Sequence, residues 1–391
     1  MSTHATPALF HEEARKAEKP IVSAAEAHGL AKSLFGLEPV PGSITDLDSY
    51  DDRNFYLRAT GGDALLTPAD GNAVSPSDPA YPGFDAPPVA HYVLKVHNGV
   101  ESQDQSFIEA QNLAMARVRA GGVWCPRALS SVTGSPIAHV EHPLASGVLR
   151  NHAVRLLPFR PGTVLGSLPT LTAPLLRQLG EAAAKVTAAL NGFDHPAAHR
   201  QSFLWDLAQC LELRPLLTLL PEERRATVGA VLDEFAAIVV PRAALLPRSV
   251  VHGDINDQNV LVDPAAGMLT GLIDFGDLSY TWRVCEVAIA AAYALIATHY
   301  GASKPAAPPT PLSEEAAAGA LVGGYVAELA RLGLKLSEEE WTVLPTLIAV
   351  RIAMSLTIGN YSSAKVRRPT PRVLGTLPRV RARSPGLELR L

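Results

Sequence analysis

His252-Gly253-Asp254-Ile255-Asn256-Asp257-Gln258-Asn259 is followed, after a short intervening segment, by Asp274-Phe275-Gly276-Asp277. Transfer of a γ-phosphoryl group needs a carboxylate facing the acceptor hydroxyl, and an amide oxygen with a second carboxylate to hold magnesium against the triphosphate. Asp254, Asn259 and Asp274 supply those groups in that order and at the spacing such chemistry uses. Asp254 is therefore the candidate base, and Asn259 and Asp274 are the candidate magnesium ligands. Between the motifs, Val260-Leu261-Val262 and Leu269-Thr270-Gly271-Leu272-Ile273 read as strands around a turn at Asp263-Pro264-Ala265-Ala266-Gly267. A hairpin there brings the base and the metal carboxylate together. The alternative is a surface loop in which Asp254, Asn256 and Asp257 only form turns, and the pairing of both motifs across a hairpin weighs against it.

The phosphate end is less regular. Lys95 lies on an apolar strand, His91-Tyr92-Val93-Leu94-Lys95-Val96, and in kinases such a lysine pairs with a glutamate on the following helix. Glu109, in Ser106-Phe107-Ile108-Glu109-Ala110-Gln111-Asn112, is the expected partner. Upstream there is no G-x-G-x-x-G and no Walker A sequence. Ser49-Tyr50-Asp51-Asp52-Arg53-Asn54-Phe55 stands there instead, a polar turn from which backbone N–H groups, Ser49, Tyr50, Arg53 and Asn54 are the candidate phosphate contacts. Asp51 and Asp52 would repel a triphosphate unless they face elsewhere, so they are candidate acceptors for a cationic substrate. Val154-Arg155-Leu156-Leu157-Pro158-Phe159 falls where a kinase hinge would meet the purine, which adds Arg155 and Leu157 to the nucleotide set. An ordinary strand ending at Pro158 is the alternative.

A peptide acceptor is disfavoured. Gly253 stands where many protein kinases carry the arginine that reads a phosphorylated activation loop. After Asp277 the chain runs into Trp282-Arg283-Val284-Cys285-Glu286-Val287 with no A-P-E and no room for a long activation segment. A small molecule bound near Asp257, Asp277, Tyr280 and Trp282 fits better, or else a catalytically inactive module that binds without reacting. Retention of Lys95, Asp254, Asn259 and Asp274 together argues against the inactive module.

Around these residues the chain of 391 residues, 47% hydrophobic and with a formal charge of −4, has room for two lobes and a large core. Its charge favours neither nucleic acid nor an anionic membrane. Three scattered cysteines, Cys125, Cys210 and Cys285, suggest a reducing compartment, and the charged N-terminal stretch lacks the apolar core of a secretory signal, so a cytoplasmic protein is expected. The apolar run from Val287 to Thr298 is too short for a bilayer and reads as a buried helix. Strand-like pieces dominate up to about residue 150, and Ala/Leu-rich helical patterns follow at 173–191, 203–219, 222–240, 284–299, 313–333 and 338–359. The expected class is α+β: an N-terminal extension at 1–24, a small β-rich nucleotide-binding lobe at 25–158, a larger mainly helical catalytic lobe at 159–362, and a basic, proline-rich tail at 363–391. The Gly61–Ala90 segment, rich in Gly, Pro, Asp and Ala, reads as a mobile hairpin insert.

These motifs resemble the aminoglycoside phosphotransferase and choline kinase superfamily over roughly residues 25 to 362. The strings Ser49–Phe55, Val154–Leu157, His252–Asn259 and Asp274–Tyr280 are most similar to its hydroxylysine kinase family. The resemblance implies a two-lobed, protein-kinase-like fold and magnesium as cofactor. It further implies GTP, or ATP, as donor and the 5-hydroxyl of 5-hydroxy-L-lysine as acceptor. It also implies Lys95 and Glu109 at the phosphates. An aminoglycoside, choline, ethanolamine or homoserine is the alternative acceptor. A hydroxylated diamino acid carries two ammonium groups and one carboxylate. Asp51, Asp52, Asp257, Asp277 and Glu286 are the acids available to it, and Arg351, a lone charge in an apolar helix, is the candidate for its carboxylate unless it pairs with Glu286. Oligomeric state is not legible in the sequence.

Overall fold

The computed structural model describes residues 13–60, 90–301 and 312–366. Among them, 13–116 and 124–161 form one compact unit, and 117–123 and 162–366 form the other. The expected insert, up to residue 89, and the basic tail beyond residue 366 lie outside the described residues.

The smaller unit is an antiparallel sheet in the order β1-β3-β4-β6-β5, with β2 also paired to β3. Its strands are β1 (Glu38–Pro39), β2 (Thr45–Leu47), β3 (Arg53–Thr60), β4 (Ala90–Val96), β5 (Ala138–Pro143) and β6 (Leu149–Pro158). Alternation explains the sheet. Phe55, Leu57 and Ala59 of β3 and Tyr92, Leu94 and Val96 of β4 are buried on one face. Asn54 and Lys95, opposite each other in register, point the other way. Helix α1 (Ala24–Phe35) closes the apolar face with Ala27, Ala31 and Phe35. It starts at a Ser23–Glu26 capping box and stops at Gly36, whose φ of 64° an L side chain would resist. Two further helices follow β4, α2 (Gly99–Gln103) and α3 (Gln105–Ala120). The segment before residue 24 belongs to this unit: Gly99 N donates to Glu18 O (2.9 Å) and Ile21 N to Pro143 O (3.4 Å).

The larger unit is built on α4 (Ala173–Leu190), α5 (Glu222–Ile238), α6 (Cys285–Gly301), α7 (Glu314–Arg331) and α8 (Glu338–Val366). Short strands carry the loops: β7 (Thr163–Val164), β9 (Val260–Asp263) and β10 (Met268–Leu272) form one sheet, and β8 (Arg248–Val251) pairs with β11 (Ser279–Trp282). The β9–β10 hairpin is the one expected between the two motifs. Residues 203–219 depart from expectation, because 3₁₀ turns over Leu207–Leu219 replace an α-helix where Pro215 removes a backbone donor. Helix α6 is buried through its apolar run. Helix α8 is long and apolar enough to cross a membrane by length and composition, yet most of that stretch is buried inside the unit. Its last turn takes up the start of the expected tail. Helices α4 and α7 touch through glycine: a Cβ on Gly180 would collide with the Leu321 carbonyl, and one on Gly324 with that of Arg177.

Candidate active site

Strand β8 ends at Val251 and delivers His252 to a loop held from behind. Glu286, in the first turn of α6, accepts from His252 N (2.7 Å) and Gly253 N (3.3 Å). Gly253 has φ 80°, and a Cβ there would sit 2.6 Å from the Asp277 carbonyl oxygen, so the position admits only glycine without displacing the second motif. The His252 ring lies tilted against that of Phe275 with centroids 4.4 Å apart, donates from Nε2 to Ile273 O (3.2 Å) and accepts at Nδ1 from Asp254 N (3.2 Å). Burial pushes its pKa down to about 4, so the ring is neutral, as this pattern of one donor and one acceptor requires.

Asp254 is fixed at both oxygens. Oδ1 meets Arg351 Nη2 at 2.8 Å, and Oδ2 accepts from Asn256 Nδ2 (2.7 Å) and Asn259 Nδ2 (2.8 Å). Burial raises its pKa above the usual carboxylate value, and Arg351 and the two amides restrain that rise. Asn256 orders the loop by accepting from Gln258 N (2.7 Å) and Asn259 N (3.1 Å). Asp274 is exposed at φ 62°, outside the usual range for a residue with a side chain, and its Oδ1 accepts from Gly276 N (3.1 Å). Ile273 N donates to Asn259 O (2.9 Å), which ties the two motifs together. Asn259 spends its amide nitrogen on Asp254, so its Oδ1, which accepts no hydrogen bond among the described residues, is the atom available to a cation. An amide oxygen and a carboxylate are hard donors that suit magnesium.

Several expected substrate contacts are internal instead. Arg351 binds neither Glu286 nor open space: it lies 4.8 Å from the Trp205 ring and 5.2 Å from that of Tyr293 and is spent on Asp254. Glu286 is fully buried on the loop backbone, and burial lifts its pKa to about 7. Trp282 is a core residue against Phe235. Asp257 and Asp277 remain half-buried, Asp257 beside Gly166 with its carboxylate accepting from Gln258 Nε2 (2.9 Å). Tyr280 stacks on His199 at 4.2 Å.

In the smaller unit, Lys95 does not meet Glu109. Glu109 is exposed on α3 and accepts from Gln105 (2.6 Å), whereas Lys95 Nζ lies 2.8 Å from Asp52 Oδ2. Asp51 and Asp52 are both buried and are not substrate acids. Asp51 pairs with Arg15 (2.6 Å), which also meets Glu101 (2.9 Å). Arg155 is likewise not a nucleotide contact, because its guanidinium donates to His97 Nε2 (3.0 Å), Asn112 Oδ1 (2.7 Å) and Gln111 Oε1 (2.6 Å). With Nε2 accepting, the His97 proton sits on Nδ1 and goes to Glu101 (3.3 Å). Burial and then Arg155 depress the His97 pKa and keep the ring neutral. Asp52, His97 and Glu101 bring possible metal-ligating atoms within 4.8 Å of one another, but Lys95 and Arg15 already supply the positive charge there.

The polar turn is folded onto residues 15–19: Ser49 O accepts from Lys19 (2.5 Å), and Lys16 lies 4.0 Å over the exposed Tyr50 ring. Arg53 reaches Val22 O (3.0 Å) and Asp46 (2.9 Å), and Asn54 pairs with Lys95 across the sheet. Leu157 pairs with Val93, and β5 covers β6 only as far as Val154, leaving the Leu157 end of β6 beyond it. Sequence patterning missed Arg15, His97, Asn98, Glu101, Asn256, Trp205 and Tyr293. Only Asn256 carried a signal, its place inside the first motif.

The family model described as "Phosphotransferase enzyme family" matches residues 84–322. The chain is 28% identical over 361 residues to the hydroxylysine kinase of Mus musculus, covering 90% of this chain and 85% of that one. It is 27% identical over 354 residues to that of Danio rerio, covering 89% and 86%. Among solved structures, amicoumacin kinase hAmiN in complex with AMP-PNP, Ca2+ and Ami superposes with a TM-score of 0.59 at 15% identity, covering 90% of this chain and 89% of that one. The microcompartment-associated aminopropanol kinase gives 0.51 at 15%, covering 88% and 97%. The architecture is thus the bilobed kinase-like fold, with a β-sheet lobe and a helix-rich lobe.

Proposed function

The chain belongs to the phosphotransferase enzyme family and is a small-molecule phosphotransferase, and on that footing we propose that its acceptor is 5-hydroxy-L-lysine and its donor GTP. The observation that carries the chemistry is the carboxylate of Asp254, gripped by Arg351 on one oxygen and by two amides on the other. A base so oriented accepts the proton of the acceptor hydroxyl as that oxygen bonds to the γ-phosphorus and the nucleoside diphosphate leaves. Asn259 and Asp274 would hold magnesium, which when bound neutralises phosphate charge. Lys95 is the cation assigned to the phosphates. The acceptor rests on similarity to the hydroxylysine kinases, and Asp257, Asp277 and Tyr280 are the members of the expected substrate set that keep some exposure.

The test is a transfer assay with magnesium, crossing GTP and ATP against 5-hydroxy-L-lysine, L-lysine, choline, ethanolamine, homoserine and kanamycin, with product read by mass. Phosphorylated hydroxylysine, no phosphorylated lysine and a preference for GTP are expected. Transfer to another acceptor discards the substrate and keeps the chemistry. Asp254→Asn should lose on the order of 10²-fold or more in kcat while still binding nucleotide, and unchanged turnover would remove Asp254 as base.

A further inference from the structure

We propose that Asp52 is the carboxylate that positions Lys95 for the nucleotide phosphates, a task expected from the sequence to fall to Glu109. The inference rests on the assignment of Lys95 to the phosphates. Lys95 and Asp52 are 9% and 3% exposed, so neither side chain is a solvated surface group that meets the other by chance. Their contact of 2.8 Å uses one carboxylate oxygen, Oδ2. The other, Oδ1, accepts from both the backbone N (2.8 Å) and the side-chain Nδ2 (3.0 Å) of Asn98. Asn98 is itself fixed, because its Oδ1 accepts from Glu101 N (3.0 Å) as the N-cap of α2. Asp52 therefore presents one oxygen to Lys95 in a set orientation, as a group that holds a flexible ammonium must.

Topology adds a second reason. Asp52 immediately precedes β3, and Asn54 faces Lys95 in the β3–β4 register. Asp52 lies in the bend that leads into β3, two residues before Asn54, and from there its carboxylate reaches Lys95. The lysine thus lies on β4 and its partner in the bend at the start of the neighbouring strand β3. A glutamate on a helix can swing away with that helix, whereas Asp52 is tied at the mouth of the sheet, its backbone N–H donating to Ser49 Oγ (3.1 Å) and its Oδ1 held by Asn98. Asp52 also leaves the triphosphate unopposed: although burial pushes its pKa up, Lys95 holds the carboxyl well below the usual range, and its charge is met by that cation.

The experiment compares binding of Mg·GTP and of guanosine by calorimetry in wild type, Asp52→Asn, Lys95→Ala, the double variant and Glu109→Gln, alongside thermal melts. Expected is a tenfold or greater weakening of GTP in Asp52→Asn, with guanosine within twofold of wild type. The double variant should match Lys95→Ala, Glu109→Gln should match wild type, and Asp52→Glu should recover part of the loss. If Asp52→Asn does not fold, Asn98→Ala, which frees the carboxylate, should give a smaller loss confined to GTP. Equal weakening of GTP and guanosine, additive losses in the double variant, or tighter GTP binding in Asp52→Asn would each overturn the proposal, the last by making Asp52 a competitor of the phosphates. Wild-type GTP binding in Lys95→Ala would overturn it together with the phosphate role of Lys95. Failure of the acceptor assay alone would sink the hydroxylysine reading and leave these binding results intact.

Discussion

A base that must give up its proton at working pH while sitting out of water needs a nearby cation, and Arg351 is that cation for Asp254. Burial pushes the carboxyl's pKa up, towards the protonated form that cannot deprotonate an alcohol; the guanidinium at 2.8 Å pulls the other way. Replacing Arg351 by Met should therefore raise the Asp254 pKa further and move the acid limb of the kcat/KM–pH profile upward. An acid limb that stays in place while activity falls would show that Arg351 matters only for packing. The contact with Asp254 was not legible in the sequence, where a charge in an apolar helix suggested either the substrate carboxylate or an ion pair with Glu286. The partner lies far along the chain, and no local pattern encodes it. Lys95 and Asp52 repeat the lesson, since a rule that pairs the lysine with a glutamate on a following helix picked Glu109, which is exposed and accepts from Gln105.

Among the elements, α4 and α7 approach closely because Gly180 and Gly324 face backbone rather than side chains. Gly180→Ala should cost about 1–3 kcal/mol through overpacking, measured by urea unfolding. Gly319 lies exposed on the same helix α7 with nothing within 4 Å of an added Cβ, and Gly319→Ala should stabilise by about 0.5–1 kcal/mol. Equal effects from the two would refute the close-approach account. The helix spans and the β9–β10 hairpin were readable, because amphipathic period and turn residues are local properties. The 3₁₀ turns at Leu207–Leu219 were not, since apolar content matched a helix and only Pro215 spoke against it. Nor was the place of residues 13–23 in the small unit, which depends on Arg15 finding Asp51 and Glu101.

For the whole molecule, pH should act on stability through the buried groups behind the catalytic loop. Burial lowers the His252 pKa from the ordinary 6.5 to about 4, so between those values the unfolded chain binds the proton and the folded one does not. Stability from this residue is complete above about pH 6.5 and is lost as pH falls towards 4, by about 2–3 kcal/mol. Glu286 works in the opposite sense, because its raised pKa of about 7 makes the folded state hold a proton that the unfolded chain has released above 4.5. Denaturant unfolding of wild type and His252→Gln across pH 4 to 6.5 should show the wild-type advantage shrinking as pH drops; a constant difference would mean that His252 is not the titrating group. Behind the same loop, the carbonyl of Asp277 fills the space that any side chain at Gly253 would need. A single mutation cannot install there the arginine through which other kinases sense phosphorylation, because it would first dislodge the loop that carries Asp274. Covalent on–off control read by an arginine at that position is therefore closed to stepwise evolution in this chain.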